Sequence, residues 1–361
     1  MSINSSELIG LIRGTLPAAA PTERPVIETY IAFIDRQGVV ATLDSDHSRF
    51  LKRTANNFQD RWEPDISSEF QRAELFGVDV PLINAFAREE EGVRQIILFE
   101  GIQQVVLFYA HLITALNLLN ILRADKYVNI DGWKEKESAS FSLAAFSLLY
   151  EFMRTGQPLI ALGDILGPNS LQNTKLGYEA AIAFVLAHEV GHLALGHTGM
   201  SGALSERNYV TTAVKEDINN YQQREFEADR YALFGFREDL RLPLMSSVLF
   251  FFAPMAFIEA FVGPNDPTHP LFTNRAAHLA SLLANDTKDG IAVASIIRSQ
   301  IEGFKRLAAV RGEAGEDIRS RIHQTMPVEL AYRVILAVKK AVKSDIGFLD
   351  MENEPQVPEI S

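Results

Sequence analysis

The sequence predicts a mainly α protein carrying a small β-hairpin or edge strand, and three observations predict it. From about Asp46 onward, apolar residues recur at helical spacing, with polar or Gly/Pro breaks at 63–68, 125–136 and 163–174. Residues 26–43, VIETYIAFIDRQGVVATL, hold two β-prone runs flanking Asp35-Arg36-Gln37-Gly38, which is the form of a hairpin. Neither an internal repeat nor a Gly/Ser linker divides the chain, so residues 1–350 read as a single mostly helical unit.

Within that unit the first 140 residues suggest no role. The Pro-rich, acidic end at 351–361, MENEPQVPEIS, reads as a disordered tail. Residues 156–163, GQPLIALG, form a short apolar run between glycines. They fit either an edge strand that binds extended substrate or a turn leading into a core helix. After Asn285, charged and apolar residues alternate at helical spacing to Val342.

Composition removes several function classes. With 361 residues and 47% hydrophobic content the chain can bury a large core. A formal charge of -12 argues against nucleic acid or an anionic lipid surface as partner, since both require clustered Lys and Arg. No cysteine is present, which excludes disulfides, thiol nucleophiles and Cys-based zinc sites together. The start, MSINSSELIGLIRGTLPAAAPTERP, lacks the basic and continuous apolar regions of a secretory signal, so a cytoplasmic location is the default expectation.

Two apolar stretches test for membrane spans. Residues 102–122 carry Gln103, Gln104, His111, Asn117 and Asn120 and fit a helix packed inside a protein. Residues 244–262 are the stronger candidate, but Ser246, Ser247, Pro254 and Glu259 interrupt them. A buried core helix is the favoured reading there, with membrane attachment the lesser one.

The chemistry is concentrated in residues 177–198, GYEAAIAFVLAHEVGHLALGHT. The apolar run Ala181, Ile182, Phe184, Val185, Leu186 predicts a helix, and Gly196 falls where its C-cap would lie. On a helix, His188 and His192 stand one above the other and can aim imidazole nitrogens at one ion. Glu189 lies about 100° round the helix, where it can reach a metal-activated water without itself filling a ligand position. Two core histidines on a buried helix would be the bland alternative, but that would bury a charged Glu without a stated partner.

A tetrahedral catalytic Zn2+ needs a third protein ligand. The metzincin pattern fails, because its Gly and His positions are occupied by Leu195 and Thr198. Arg224-Glu225-Phe226-Glu227-Ala228-Asp229 offers a carboxylate instead. Glu225 and Asp229 share one helical face, so Glu225 can be the ligand while Asp229 orients a ligand histidine through its free N–H. Glu227 reads as an exposed acidic face, and His197 as a cap on the first helix.

Together, HEVGHLALGH, EFEAD and the downstream Asp266-Pro267-Thr268-His269-Pro270 with Asn274-Arg275 resemble the M48 zinc metallopeptidases. The resemblance covers about a third of the chain. It implies a zincin-like core at 141–290 and a zinc-dependent endopeptidase acting on proteins or peptides. It also implies that His269 lies near the metal, either stabilising an oxyanion or occupying the open position at rest, and that Arg275 anchors carboxylates beside the site. The 32 residues between His192 and Glu225, rich in Ser, Asn, Gln and charge, leave no room for the transmembrane helices of membrane members. An alternative from another class is a zinc-bearing, latched protein that is not proteolytic and acts through interactions or as a chaperone. The sequence leaves the oligomeric state open.

Overall fold

The computed structural model describes residues 2–15, 24–122, 126–130, 133–136, 168–199, 214–241 and 270–286, with shorter stretches within 141–152, 248–256, 290–299 and 326–340. The architecture is mainly α with small β elements. The N-terminal part contains β1 (Ser2–Ile3), α1 (Ser5–Thr15), α2 (Arg24–Gln37), β2 (Ala41–Thr42), α3 (Asp46–Asn57) and α4 (Pro64–Arg72). A three-stranded sheet follows, made of β3 (Ala73–Val78), β4 (Ala85–Glu90) and β5 (Val93–Phe99). Next come α5 (Glu100–Leu122) and a hairpin of β6 (Tyr127–Ile130) and β7 (Trp133–Lys136). The long helix α6 (Pro168–Ala194) is followed by α7 (Val214–Phe234) and α8 (Phe272–Asp286).

The sheet divides two hydrophobic cores, and the two-residue period of its strands explains how. Its order is β3-β5-β4, with β3 parallel and β4 antiparallel to β5. Leu75, Ile96 and Leu98 point into a large core shared with α3, α5, α6 and α7. Their neighbours Phe76, Val78, Ile97 and Phe99 point the other way, into a smaller core closed by α1 and α2. Covered on both faces, β5 reads as a continuous apolar run rather than an alternation. That is why its strand character escapes the sequence pattern after Asp46, where helical patterning dominates.

The hairpin expected at 26–43 is not formed. Residues 24–37 are helical, because Ile27, Tyr30, Ile31 and Ile34 fall at i, i+3, i+4 and i+7 and all four are buried in the smaller core. Gly38, read as a hairpin turn, instead ends α2 at φ 61, and the Val39 N–H donates to the Ile34 carbonyl as in a Schellman cap. Tertiary burial overrides the β-branched and aromatic bias. The β4–β5 hairpin turns through Glu91 and Gly92, both at positive φ (50 and 80), as a two-residue type I′ turn requires.

From Ala180 to Ala187, helix α6 is apolar and buried on every side, the pattern of a central buried helix. Helices α3, α4 and α5, strands β4 and β5, and helix α7 all pack against it. The N-terminal region without an assigned role therefore supplies most of the described wall around α6. Residues 156–163, the expected edge strand or turn, lie outside the described residues, as does the tail 351–361. No described helix is long and apolar enough to cross a membrane. Of the 244–262 stretch, Val248 and residues 251–256 are described, and they are buried in protein.

Candidate active site

The last turns of α6 carry His188, Glu189 and His192, the middle of α7 carries Glu225 and Asp229, and the first turn of α8 carries Arg275. What brings α7 to α6 is Gly191, inside the His188-to-His192 turn. A Cβ built there would stand 3.2 Å from Ala228 Cα and 3.3 Å from its carbonyl oxygen, so the backbones approach at the glycine. Ala228 lies between Glu225 and Asp229, and the close approach delivers both carboxylates to the histidines. The far end of α7 is fixed by backbone bonds from Glu63 N–H to the Gly235 carbonyl and from Arg237 N–H to the Arg61 carbonyl.

Three side chains converge on one point. His188 Nε2 and His192 Nε2 are 3.1 Å apart, His188 Nε2 is 3.4 Å from Glu225 Oε2, and His192 Nε2 is 3.3 Å from Glu225 Oε1. Ligand atoms about 2.0 to 2.1 Å from a tetrahedral ion stand about 3.3 Å from one another. The triangle has the edges such an ion requires, and among the described residues it is the group that could hold a metal.

A second layer backs the triangle. Asp229, fully buried, accepts from Arg275 at 2.7 and 2.8 Å and stands 3.0 Å from His188 Nδ1. Arg275 Nη1 is also 3.2 Å from Glu225 Oε2, and its guanidinium lies over the rings of Phe252 and Phe272. Burial alone would raise the Asp229 pKa, but Arg275 and His188 outweigh it and hold the carboxyl below its usual range. For His188, burial and the Arg275 charge push the pKa down, while Asp229 and Glu225 reverse this and bring it up to about 9.

The charge inventory agrees with the geometry. Glu189, Glu225 and Asp229 are buried acids, and Arg275 is the buried base among them. With the histidines neutral, as metal ligation requires, the group carries a formal surplus of two negative charges, which a divalent cation would neutralise. The donor set, two imidazoles and a carboxylate with no sulfur, suits zinc.

His269 lies outside the described residues. His197 does not act as a helix cap. The cap is Gly196, at φ 69 with its N–H donating to the Leu193 carbonyl, and His197 turns back beside His192. Glu227 is exposed, as the sequence suggests, and stands 3.3 Å from His197 Nε2.

In comparisons with known proteins, residues 174–295 match the family model described as Peptidase U49. No curated protein and no solved structure matches the chain. The match overturns the M48 resemblance, since it is to a different peptidase family. The physical reason is that a helical His-Glu-x-x-His with a Glu on a second helix answers to the geometry of a metal ion. Those motifs do not by themselves discriminate between families that build such a centre. The match points to a peptidase, and all three helices of the site fall mainly or wholly within it.

Proposed function

We propose that the chain is a zinc-dependent endopeptidase in which His188, His192 and Glu225 hold the metal. The observation that carries this reading is the triangle of ligand atoms with edges of 3.1 to 3.4 Å, formed by residues from two helices within a peptidase-family match. Zinc held there would polarise the scissile carbonyl and make water a nucleophile near neutral pH. Glu189, one residue along from His188 and itself buried, takes the proton from the attacking water and returns it to the leaving amine. Asp229 accepts from the Nδ1–H of His188, so that Nε2 faces the metal, and Arg275 holds Asp229 and Glu225 in place.

Strand β4 is a candidate for holding the substrate. It is an edge of its sheet among the described residues, and it runs beside α6 and the turn at His197–Gly199. An extended peptide added to that edge would pass the metal centre.

Metal analysis and a protein-digestion assay on wild type and the Glu189→Gln variant test the proposal. Wild type should carry zinc and cleave. Glu189→Gln should keep the zinc and lose about 10²- to 10⁴-fold in turnover. A variant that keeps its turnover would falsify the assignment of Glu189.

A further inference from the structure

We propose that His197, held by Glu227, is a positioning residue that fixes the ring orientation and tautomer of His192 at the metal centre. The inference rests on the metal-centre reading above, and its evidence is a chain of three polar contacts. His192 points Nε2 into the triangle, 3.1 Å from His188 Nε2 and 3.3 Å from Glu225 Oε1. A nitrogen that binds a metal must offer its lone pair, so the proton of neutral His192 sits on Nδ1.

That Nδ1 is 3.2 Å from His197 Nδ1. Two ring nitrogens at this distance form a hydrogen bond only if one donates and the other accepts. His192 being the donor, His197 Nδ1 must accept, which places the His197 proton on Nε2. That nitrogen stands 3.3 Å from Glu227 Oε2, a carboxylate able to accept from it. Each proton position required by one contact is the one the next contact supplies.

The fold makes the arrangement available through one residue. Gly196, at φ 69, reverses the chain after α6 so that His197 lies back against His192, with ring centroids 5.3 Å apart. Glu227 is two residues beyond Glu225 on α7, so the residue that holds His197 comes from the helix that supplies the carboxylate of the triangle. His188 is backed directly by the fully buried Asp229. His192 is backed by an imidazole whose own partner, Glu227, is half exposed.

Zinc affinity, measured by competition with a chromophoric chelator, tests the proposal. Co2+ absorption and the thermal midpoint of the zinc-free protein accompany it. His197→Ala should weaken zinc binding by about 10- to 100-fold and alter the Co2+ spectrum, with the zinc-free midpoint little changed. His197→Asn places Oδ1 where the imidazole Nδ1 stood, and should bind close to wild type. Glu227→Ala should weaken binding in the wild-type background but have no further effect on top of His197→Asn.

A His197 that merely tied α6 to α7 would give the opposite pattern, with His197→Asn as damaging as His197→Ala. That result, or wild-type affinity in His197→Ala, overturns the inference. Should His197→Ala fail to fold, the Asn and Glu227 variants still decide it. Loss of zinc in His188→Ala together with wild-type zinc affinity in His197→Ala would sink this inference alone, whereas a wild-type protein that takes up no zinc would sink the metal-centre reading with it.

Discussion

Asp229 stands between a guanidinium and an imidazole with no access to solvent, and removing it would leave His188 Nδ1 without its carboxylate and the buried Arg275 with Glu225 alone. Deleting one member of a buried ion pair costs about 3 to 5 kcal/mol, because the remaining charge stays desolvated. Asp229→Ala should therefore lower unfolding free energy by an amount in that range in urea denaturation, and Asp229→Asn by less, since the amide still offers one oxygen. A loss under about 1 kcal/mol in the Ala variant would mean that Arg275 finds other partners and that the pairing is not what holds α7 and α8 together. At this scale much of the site was legible in the sequence. His188, Glu189 and His192 follow from one-turn spacing on an apolar helix, and Glu225 and Asp229 from the same spacing on the next. The partnership of His197 with Glu227 was not legible, because it depends on a left-handed turn at Gly196 and on the rotation of a second helix about its axis.

Helices α6 and α7 meet at a glycine, and that contact sets how far Glu225 stands from the two histidines. Replacing Gly191 forces the Ala228 backbone outward, since backbone atoms 3.2 and 3.3 Å away cannot rotate aside as a flexible side chain would. Gly191→Val should separate the helices, cost about 1 to 3 kcal/mol in stability, and weaken zinc binding by more than 10-fold while the protein stays helical by circular dichroism. Unchanged affinity would show that the glycine serves the packing and not the metal. Elements were less legible than residues. Residues 26–43 have the sequence form of a hairpin but fold as helix over 24–37, since Ile27, Tyr30, Ile31 and Ile34 are β-prone one by one and helical only as a set. Strand β5 was missed for the reverse reason, being buried on both faces and so lacking the alternation by which strands are read.

For the molecule as a whole, a cation bound at the junction of α6 and α7 should couple to folding, because the triangle exists only when both helices are packed. Zinc at about a thousand times its dissociation constant would add about 4 kcal/mol to stability, so zinc should raise the thermal midpoint by several degrees and EDTA should lower it. A midpoint indifferent to both would remove the metal from the account. Helix α6 also links residues before Glu100 to a triangle of ligand atoms to which they contribute none. Residues of α3, α4, β4 and β5 pack on it, and the β3-β5-β4 sheet separates its core from a second one. By itself the sequence determined the helical class and singled out His188, His192 and Glu225, the group that could hold a metal, because both rest on spacings within single helices that the chain carries wherever it goes. Only the tertiary structure decided which carboxylates reach which histidines, that His197 stands behind His192, and that residues 24–37 coil instead of extending. Each of these depends on contacts between segments far apart in sequence, whose free energy exceeds the local preferences from which a sequence is read.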